Sequence, residues 1–229
     1  MSDFQHPEAG YAFIVTYGRS GSTLLQHLVN AIPGCLIRGE NNNALLGLFR
    51  SWRALTQSTD IARMKREGLV SDPTHPWFGA EAIDPDAYRA ALCTTFSQMI
   101  LRPDPDTRIA GFKEIRTLPD PQMFRAFLDF LQAGFPQARL IFNTRDAADV
   151  CRSSWWRRHD PQEVRKMVAD ADAVFKAHAL AAPDSAILLR YEDYTSDPQA
   201  LEPLFELLGA RPGAAELRAV MNRQLTHAT

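Results

Sequence analysis

The sequence predicts an α/β fold in which a central, mostly parallel sheet carries helices on both faces. Two patterns lead to this prediction. Short apolar segments rich in β-branched residues alternate with longer segments of helical periodicity. Asp-Pro pairs, which place an N-cap before a first-turn proline, recur along the chain as helix starts. Strands separated by helices need crossover connections, and these connections make neighbouring strands parallel.

Composition narrows the class of protein. The chain has 229 residues and a net charge of −2, so it is long enough for a well-buried core and lacks the basic excess of a general nucleic-acid-binding protein. We find no repeat or linker and expect a single domain over residues 1–229. The three cysteines are scattered, as in a reduced, cytoplasmic protein. Since no apolar run reaches the roughly 20 residues of a membrane helix, we expect no transmembrane segment. Composition does not indicate the oligomeric state.

The first element is a strand over residues 13–17, followed by a tight loop and a helix over about residues 23–31. Such a loop presents unpaired N–H groups and the positive end of a helix dipole, and both favour a bound anion. The loop lacks the lysine that precedes the final hydroxyl residue in nucleoside-triphosphate loops. The alternative is a polar corner without a ligand. The predicted anion-binding residues are Gly18, Arg19, Ser20, Gly21, Ser22 and Thr23.

The next elements continue the alternation. A short strand over residues 35–37 leads into a polar cluster at residues 38–43, and helical patterning resumes over residues 44–56. Residues 69–83 are rich in proline and aromatic side chains and are predicted to form a long loop. The later strands are predicted over residues 108–115, 139–144 and 186–190, and helix starts at Asp84-Pro85, Asp120-Pro121, Asp160-Pro161 and Asp197-Pro198.

A second candidate anion site follows the strand over residues 139–144. Arg145 leaves the carboxyl end of this strand, where open α/β sheets bind ligands. Ser153, eight residues later, is predicted to lie about two turns into the next helix. A guanidinium and a hydroxyl across such a corner can hold one phosphate between them. The alternative is a surface pair of Arg145 with Asp146, followed by an ordinary helix.

The two sites together resemble the sulfotransferases that use 3′-phosphoadenosine 5′-phosphosulfate. That family binds the 5′-phosphosulfate with a strand, a loop and a helix, as at residues 18–23, and the 3′-phosphate with an Arg eight residues before a Ser, as at Arg145 and Ser153. Residues 188–194 are similar to its strand ending in Tyr-Glu-Asp. The resemblance spans roughly residues 12–209, in the family's order. It is closer to the bacterial, glycan and tyrosylprotein members than to the cytosolic members with a histidine base.

The resemblance implies a P-loop-like three-layer fold and transfer of a sulfuryl group to an acceptor hydroxyl, without a metal. We expect the acceptor to be a glycan or a small metabolite, and less so a peptide tyrosine. Arg19 and the loop amides would stabilise the leaving phosphate, and Lys113 would be the second cation. Tyr191 would contact the adenine or the loop.

The choice of general base follows from a difference between this chain and the cytosolic members of the family. The cytosolic members carry a histidine two residues after the lysine, where this chain has Ile115. Other members use a Glu in a Gly-Glu context after the first helix, and Gly39-Glu40 matches it. Glu40 would accept the proton if burial raised its pKa toward neutrality. The alternative for Glu40 is a helix cap, and Glu114 is then the reserve base.

The C-terminal part differs from the family as well. Many members carry an Arg-Lys-Gly segment for the 3′-phosphate, whereas this chain has Arg211-Pro212-Gly213. Either another basic residue, for example Arg152 or Arg223, replaces that segment, or the donor is held more weakly. Two other functions stay open at this point: a nucleotide kinase-like phosphotransferase, and a non-catalytic nucleotide-binding protein.

Overall fold

The computed structural model describes residues 4–68 and 72–222. Its centre is a five-stranded sheet in the order β2-β3-β1-β4-β5, with every neighbouring pair parallel. The predicted α/β fold with a parallel sheet is therefore confirmed. The strands are β1 Tyr11–Val15, β2 Cys35–Arg38, β3 Ile109–Glu114, β4 Arg139–Thr144 and β5 Ala186–Arg190.

Ten α-helices in the described residues connect and cover these strands, together with shorter 3₁₀ and π segments. Four of the α-helices have only six to eight residues, so tertiary packing stabilises them more than helix propensity does. The α-helices are α1 Ser22–Asn30, α2 Ala44–Thr56, α3 Thr59–Glu67, α4 Pro85–Phe96, α5 Pro121–Gly134, α6 Ala147–Arg152, α7 Pro161–Ala181, α8 Tyr191–Ser196, α9 Glu202–Leu208 and α10 Ala214–Met221.

Side chains of β1 alternate between two cores, one on each face of the sheet. Phe13 and Val15 belong to a core shared with α2, α4, α5, α6 and α7. Ala12 and Ile14 belong to a second core shared with α1, α8, α9 and α10. All five residues of β1 are buried, because helices cover both faces.

The connections place a ligand-binding crevice at the carboxyl end of β1. The helix that follows β1, α1, packs on one face of the sheet, whereas α5, which follows β3, packs on the other. Because the helices that follow the neighbouring strands β1 and β3 lie on opposite faces of the sheet, the carboxyl ends of these two strands are left uncovered between the helices. Open α/β sheets bind their ligands at such a point.

All four Asp-Pro helix starts are confirmed. Each aspartate side chain accepts a hydrogen bond from a backbone N–H in the first turn, and the proline follows at the first position, where no N–H is needed. Three of the four begin α-helices and the fourth begins a 3₁₀ helix. These residues are Asp84, Asp120, Asp160 and Asp197.

The structure corrects the predicted position of the first strand. β1 ends at Val15, two residues earlier than expected, because its ladder with β4 ends at the pair Val15 and Phe142. Thr16 and Tyr17 therefore belong to the loop, and their hydroxyls bond to the end of β4 instead.

The predicted place of Ser153 inside a helix is wrong. α6 ends at Arg152, Ser153 is extended (φ −96°, ψ 129°), and Ser154 turns the chain at φ 45°. The following tryptophans, Trp155 and Trp156, contact Gly18 of the first loop.

In the long segment after α3, residues 69–71 lie outside the described residues. The remainder up to residue 83 forms turns and a 3₁₀ helix at Ala80–Ala82. Within the ranges that the structure describes, no helix is long and apolar enough to span a membrane.

Candidate active site

A cleft of about 560 Å³ lies above the carboxyl ends of the strands. Its walls come from the β1–α1 loop, the residues after β2, the end of β3, the residue after β4 and the start of α8. Most of the charged side chains in its walls are cationic. The lining residues are Arg19, Gly21, Ser22, Thr23, Glu40, Lys113, Ile115, Arg145, Trp155 and Tyr191.

Three successive carbonyls of the β1–α1 loop are bonded by side chains from other elements. The Gly18 carbonyl accepts from Trp156 Nε1 at 3.0 Å, and the Arg19 carbonyl accepts from Arg145 Nη1 at 3.0 Å. The Ser20 carbonyl accepts from Asn143 Nδ2 at 2.8 Å. In a trans peptide the N–H points opposite to the carbonyl. Each of the next three amides therefore points away from the partner of its own peptide group.

The start of α1 continues this donor surface. Its N-cap, Gly21, provides no side-chain hydrogen bond, and the first turn carries no acidic residue. Leu24 N donates to the Gly21 carbonyl at 3.0 Å, so the amides of Ser22 and Thr23 are left for another acceptor, and the helix dipole adds positive potential at the same place. Ser22 and Thr23 line the cleft beside them. Together these groups can bind a phosphate or sulfate oxygen.

Two glycines let aromatic rings pack directly on the loop. A Cβ built on Gly21 would lie 2.1 Å from Tyr191 Cδ2, and Gly21 has φ +82°. A Cβ on Gly18 would lie 2.7 Å from Trp155 Cζ2. The rings therefore hold the loop from two sides, and Tyr191 contacts the loop itself.

Arg145 joins the two candidate anion sites. Its guanidinium bonds to the loop carbonyl of Arg19 and lies 4.6 Å from the centre of the Tyr191 ring. Arg19 in turn donates from Nε to the Ser153 hydroxyl at 2.9 Å. Within the described residues, Arg145 Nε and Ser20 Oγ are buried without a hydrogen-bond partner. Such unpaired buried donors are rare.

The backbone of Arg145 is held by Tyr17. The Tyr17 hydroxyl accepts from Arg145 N at 2.9 Å and donates to the Arg145 carbonyl at 3.2 Å. Behind it lies Asp172 of α7. Burial raises the pKa of Asp172 to about 6, the nearby Tyr17 hydroxyl opposes the rise, and the charge of Glu192 adds to it. Burial, helped by the charge of Asp172, also raises the pKa of Tyr17 above its ordinary value.

An acid and a cation meet on the opposite wall of the cleft. Lys113 Nζ donates to Glu40 Oε1 at 2.6 Å. The lysine side chain is only 7% exposed, whereas Glu40 is 34% exposed. Arg116 Nη1 lies 3.8 Å from the other oxygen of Glu40. Glu40 thus faces solvent in the cleft while two cations fix its direction.

Glu114 has a different environment. It is buried, with Oε2 accepting from Asn43 N at 2.9 Å and Oε1 accepting from Ile115 N at 2.9 Å and from Arg116 Nη1 at 3.1 Å. At the start of α2, Asn41 Oδ1 accepts from Ala44 N. Glu114 and Asn41 therefore satisfy the first amides of this corner, and Glu40 takes no part in it.

The structure brings the sequence-predicted residues together. Eight of the eleven line the cleft, Gly18 and Ser20 lie in the loop beneath it, and Ser153 bonds to Arg19. Sequence reasoning missed Asn143, whose side chain also accepts from the buried Tyr194 hydroxyl at 3.0 Å. A polar residue next to the end of an otherwise apolar buried strand is the signal that could have found it.

The candidate C-terminal cations lie elsewhere. Arg211 pairs with Glu202 at 2.8 Å, and Arg152 pairs with Asp149 on the surface. Arg223 lies outside the described residues. Among the described residues, 4–68 and 72–222, none after Tyr191 lines the cleft.

Solved structures with a related fold include two sulfotransferase domains. The chain is similar to the sulfotransferase domain of the olefin synthase of Synechococcus PCC 7002, with a TM-score of 0.59 and 22% identity, covering 97% of this chain and 80% of that one. It is also similar to the sulfotransferase domain from the curacin biosynthetic pathway, with a TM-score of 0.53 and 18% identity, covering 96% and 80%. At these identities the similarity shows the fold. A comparison with curated proteins found no match.

A profile described as the sulfotransferase family matches residues 12–210, from β1 through the end of α9. That range contains the β1–α1 loop, the Glu40–Lys113 pair and Arg145. The chain therefore belongs to the sulfotransferase family.

Proposed function

We propose that this protein transfers a sulfuryl group from 3′-phosphoadenosine 5′-phosphosulfate to an acceptor hydroxyl, with Glu40 as general base. The observation that carries the proposal is the convergence in one cleft of an uncapped anion-binding loop and a solvent-facing carboxylate paired with a buried lysine. The first feature suits a phosphosulfate, and the second suits removal of a proton beside it.

The residues present fit such a donor. The loop amides, Ser22 and Thr23 would hold the 5′-phosphosulfate, and Arg145 with Ser153 would hold the 3′-phosphate. The buried Nε of Arg145 has no acceptor among the described residues, and an anionic oxygen would supply one. The two groups of donors are already joined, because Arg145 bonds to the loop and Arg19 bonds to Ser153.

The proposed reaction is an in-line displacement at sulfur. The acceptor oxygen forms a bond to sulfur while the bond from sulfur to the 5′-phosphate oxygen breaks, and that oxygen keeps the electron pair. The acceptor proton passes to Glu40. Lys113 has three N–H donors and uses one on Glu40, so the others can stabilise the charge that develops on the leaving phosphate.

Contacts within the site favour Glu40 over Glu114 as the base. Both oxygens of Glu114 accept hydrogen bonds from the chain, and its side chain is 7% exposed. Glu40 lines the cleft and is 34% exposed, so an acceptor hydroxyl can reach it. A base must come within hydrogen-bond distance of the proton that it removes.

The test is Glu40→Gln. We expect it to lower formation of sulfated product by at least about a hundredfold, which is the usual contribution of a general base to the rate. Binding of 3′,5′-adenosine bisphosphate, the product that the donor leaves behind, should change by no more than about twofold. Product is measured by mass spectrometry over a panel of alcohols, phenols and sugars, and binding by calorimetry. Glu206→Gln is the matched control, because Glu206 is exposed on α9 and the substitution makes the same chemical change outside the cleft. If Glu40→Gln kept full turnover, the assignment of the base would be wrong.

A further inference from the structure

A second cavity lies beside the cleft, between the segment that follows β3 and the first half of α7. Its volume is about 270 Å³, near the lower end for small-molecule sites. Its walls are hydrocarbon, from Leu118, Pro119, Pro121, Phe124, Met167 and Val174. The charged residues at its edge lie on the exposed side of α7.

The cavity and the cleft share one short stretch of chain. Ile115 lines the cleft and Thr117 lines the cavity. Two residues span at most about 7 Å of extended chain. Arg116, between them, lies 3.8 Å from Glu40. The cavity and the cleft therefore border the same short segment, and the side chain of that segment's middle residue, Arg116, reaches the carboxylate.

The lining decides which class of molecule fits. Thr117 is the one uncharged polar side chain among the lining residues, and the ammonium of Lys166 is paired with Asp170 at 2.6 Å. A sugar placed here would lose hydrogen bonds to water and find few replacements, and polar groups that are buried unpaired weaken binding. A hydrocarbon body loses nothing and gains burial.

We propose that this cavity binds the apolar body of the acceptor, and that the acceptor is an uncharged alcohol carried on a hydrocarbon chain or ring. The inference rests on the proposed function, and it narrows the acceptor from the wider set of glycans, metabolites and peptide tyrosines. The hydroxyl extends past residues 115–117 to Glu40, while the hydrocarbon stays between the Pro119–Pro121 turn and α7.

The test compares two changes on α7 in the protein saturated with 3′,5′-adenosine bisphosphate. Ala171 is buried and lines the cavity, whereas Ala173 is exposed and does not. We expect 1-octanol to bind wild-type protein and glucose not to bind. Ala171→Leu should weaken octanol binding about tenfold or more, because it fills space that the ligand needs. Ala173→Leu should leave octanol binding unchanged.

A third variant guards against loss of folding. Met167→Ala enlarges the same cavity, and we expect it to shift both binding and sulfated-product formation from octanol toward decanol. Bisphosphate binding, measured on each variant, should stay constant.

Octanol binding that Ala171→Leu does not weaken would overturn the inference, as would binding of glucose in place of octanol. In both cases the donor site and the proposed function would stand. Failure of the wild-type protein to bind the bisphosphate would instead overturn the proposed function, and this inference with it.

Discussion

Gly21 lies where the loop has no room for a side chain. Its φ of +82° is costly for any residue with a Cβ, and that Cβ would meet the Tyr191 ring at 2.1 Å. We expect Gly21→Ala to displace the loop or the ring and to weaken binding of 3′,5′-adenosine bisphosphate at least about tenfold, which corresponds to the roughly 1–3 kcal/mol of a strained backbone residue. Calorimetry on the folded variant measures the change.

Gly39 provides the matched control for this prediction. It lies next to Glu40 in the same cleft region, yet a Cβ there would have no atom within 4 Å, and its φ is not positive. Gly39→Ala should leave bisphosphate binding unchanged. Equal binding by both alanine variants would contradict the account of a tightly held loop.

The buried carboxyl of Asp172 makes stability depend on pH. The pKa of Asp172 in the folded protein, about 6, lies above the ordinary 3.8. Ionisation of Asp172 therefore destabilises the folded protein. This destabilisation is complete above about pH 6 and disappears as the pH falls toward 4. Asp172→Asn keeps the size of the side chain and removes the charge. We expect the variant to be more stable than wild type at pH 7.5, by on the order of 1 kcal/mol after allowing for partial exposure.

Urea unfolding at pH 7.5, 6 and 4 measures this difference. We expect it to shrink steadily and to vanish near pH 4, since aspartic acid and asparagine are then both neutral in the folded protein. A difference that stays constant with pH would mean that Asp172 is not the titrating group.

Individual residues could be predicted where chemistry and spacing coincide. Arg19, Arg145 and Glu40 were recognisable from motifs that carry phosphate or proton chemistry, and the structure places all three in one cleft. The contacts of Tyr17 with the Arg145 backbone were not predictable, because they join residues 128 positions apart. Side-chain partners at such separations depend on packing that no local pattern encodes.

At the scale of secondary-structure elements, β4 is joined to the β1–α1 loop through Asn143. Asn143 is fully buried, donates to the Ser20 carbonyl and accepts from the Tyr194 hydroxyl of α8. Its own carbonyl accepts from Thr16 Oγ1 at 2.6 Å. One residue of a strand thus fixes the loop on one side and a helix on the other.

We expect Asn143→Ala to destabilise the protein by about 2–4 kcal/mol, because it leaves two buried polar groups unpaired. Tyr194→Phe should cost less, since only the Asn143 side-chain oxygen then loses its partner. Urea unfolding of the two single variants and the double variant measures their coupling. Strict additivity would show that the hydrogen bond between the two side chains does not contribute.

Element positions were predictable to within a residue or two. β4 and β5 begin and end where the apolar runs do, and the Asp-Pro pairs located four helix starts. The errors occurred where a long-range contact replaces a local one. Trp156 donates a hydrogen bond to Gly18 and does not continue α6. The helix therefore ends at Arg152, and Ser153 lies just beyond it.

In the whole molecule, the alternation of strands and helices predicted a parallel sheet with helices on both faces, and the structure confirms it. The strand order β2-β3-β1-β4-β5 was beyond reach of the sequence pattern, because it depends on which face each crossover helix covers. That order brings the ends of β1 and β4, and with them the loop and Arg145, side by side.

The central claim is that this cleft binds the sulfate donor through the loop and Arg145. The most direct measurement is calorimetric titration with 3′,5′-adenosine bisphosphate and with ATP, each with and without magnesium, on wild type and Arg145→Ala, with Arg152→Ala as the surface control. We predict metal-independent binding by wild type and by the control, and at least about tenfold weaker binding by Arg145→Ala. Preference for magnesium-ATP over the bisphosphate, or equal binding by all three proteins, would contradict it.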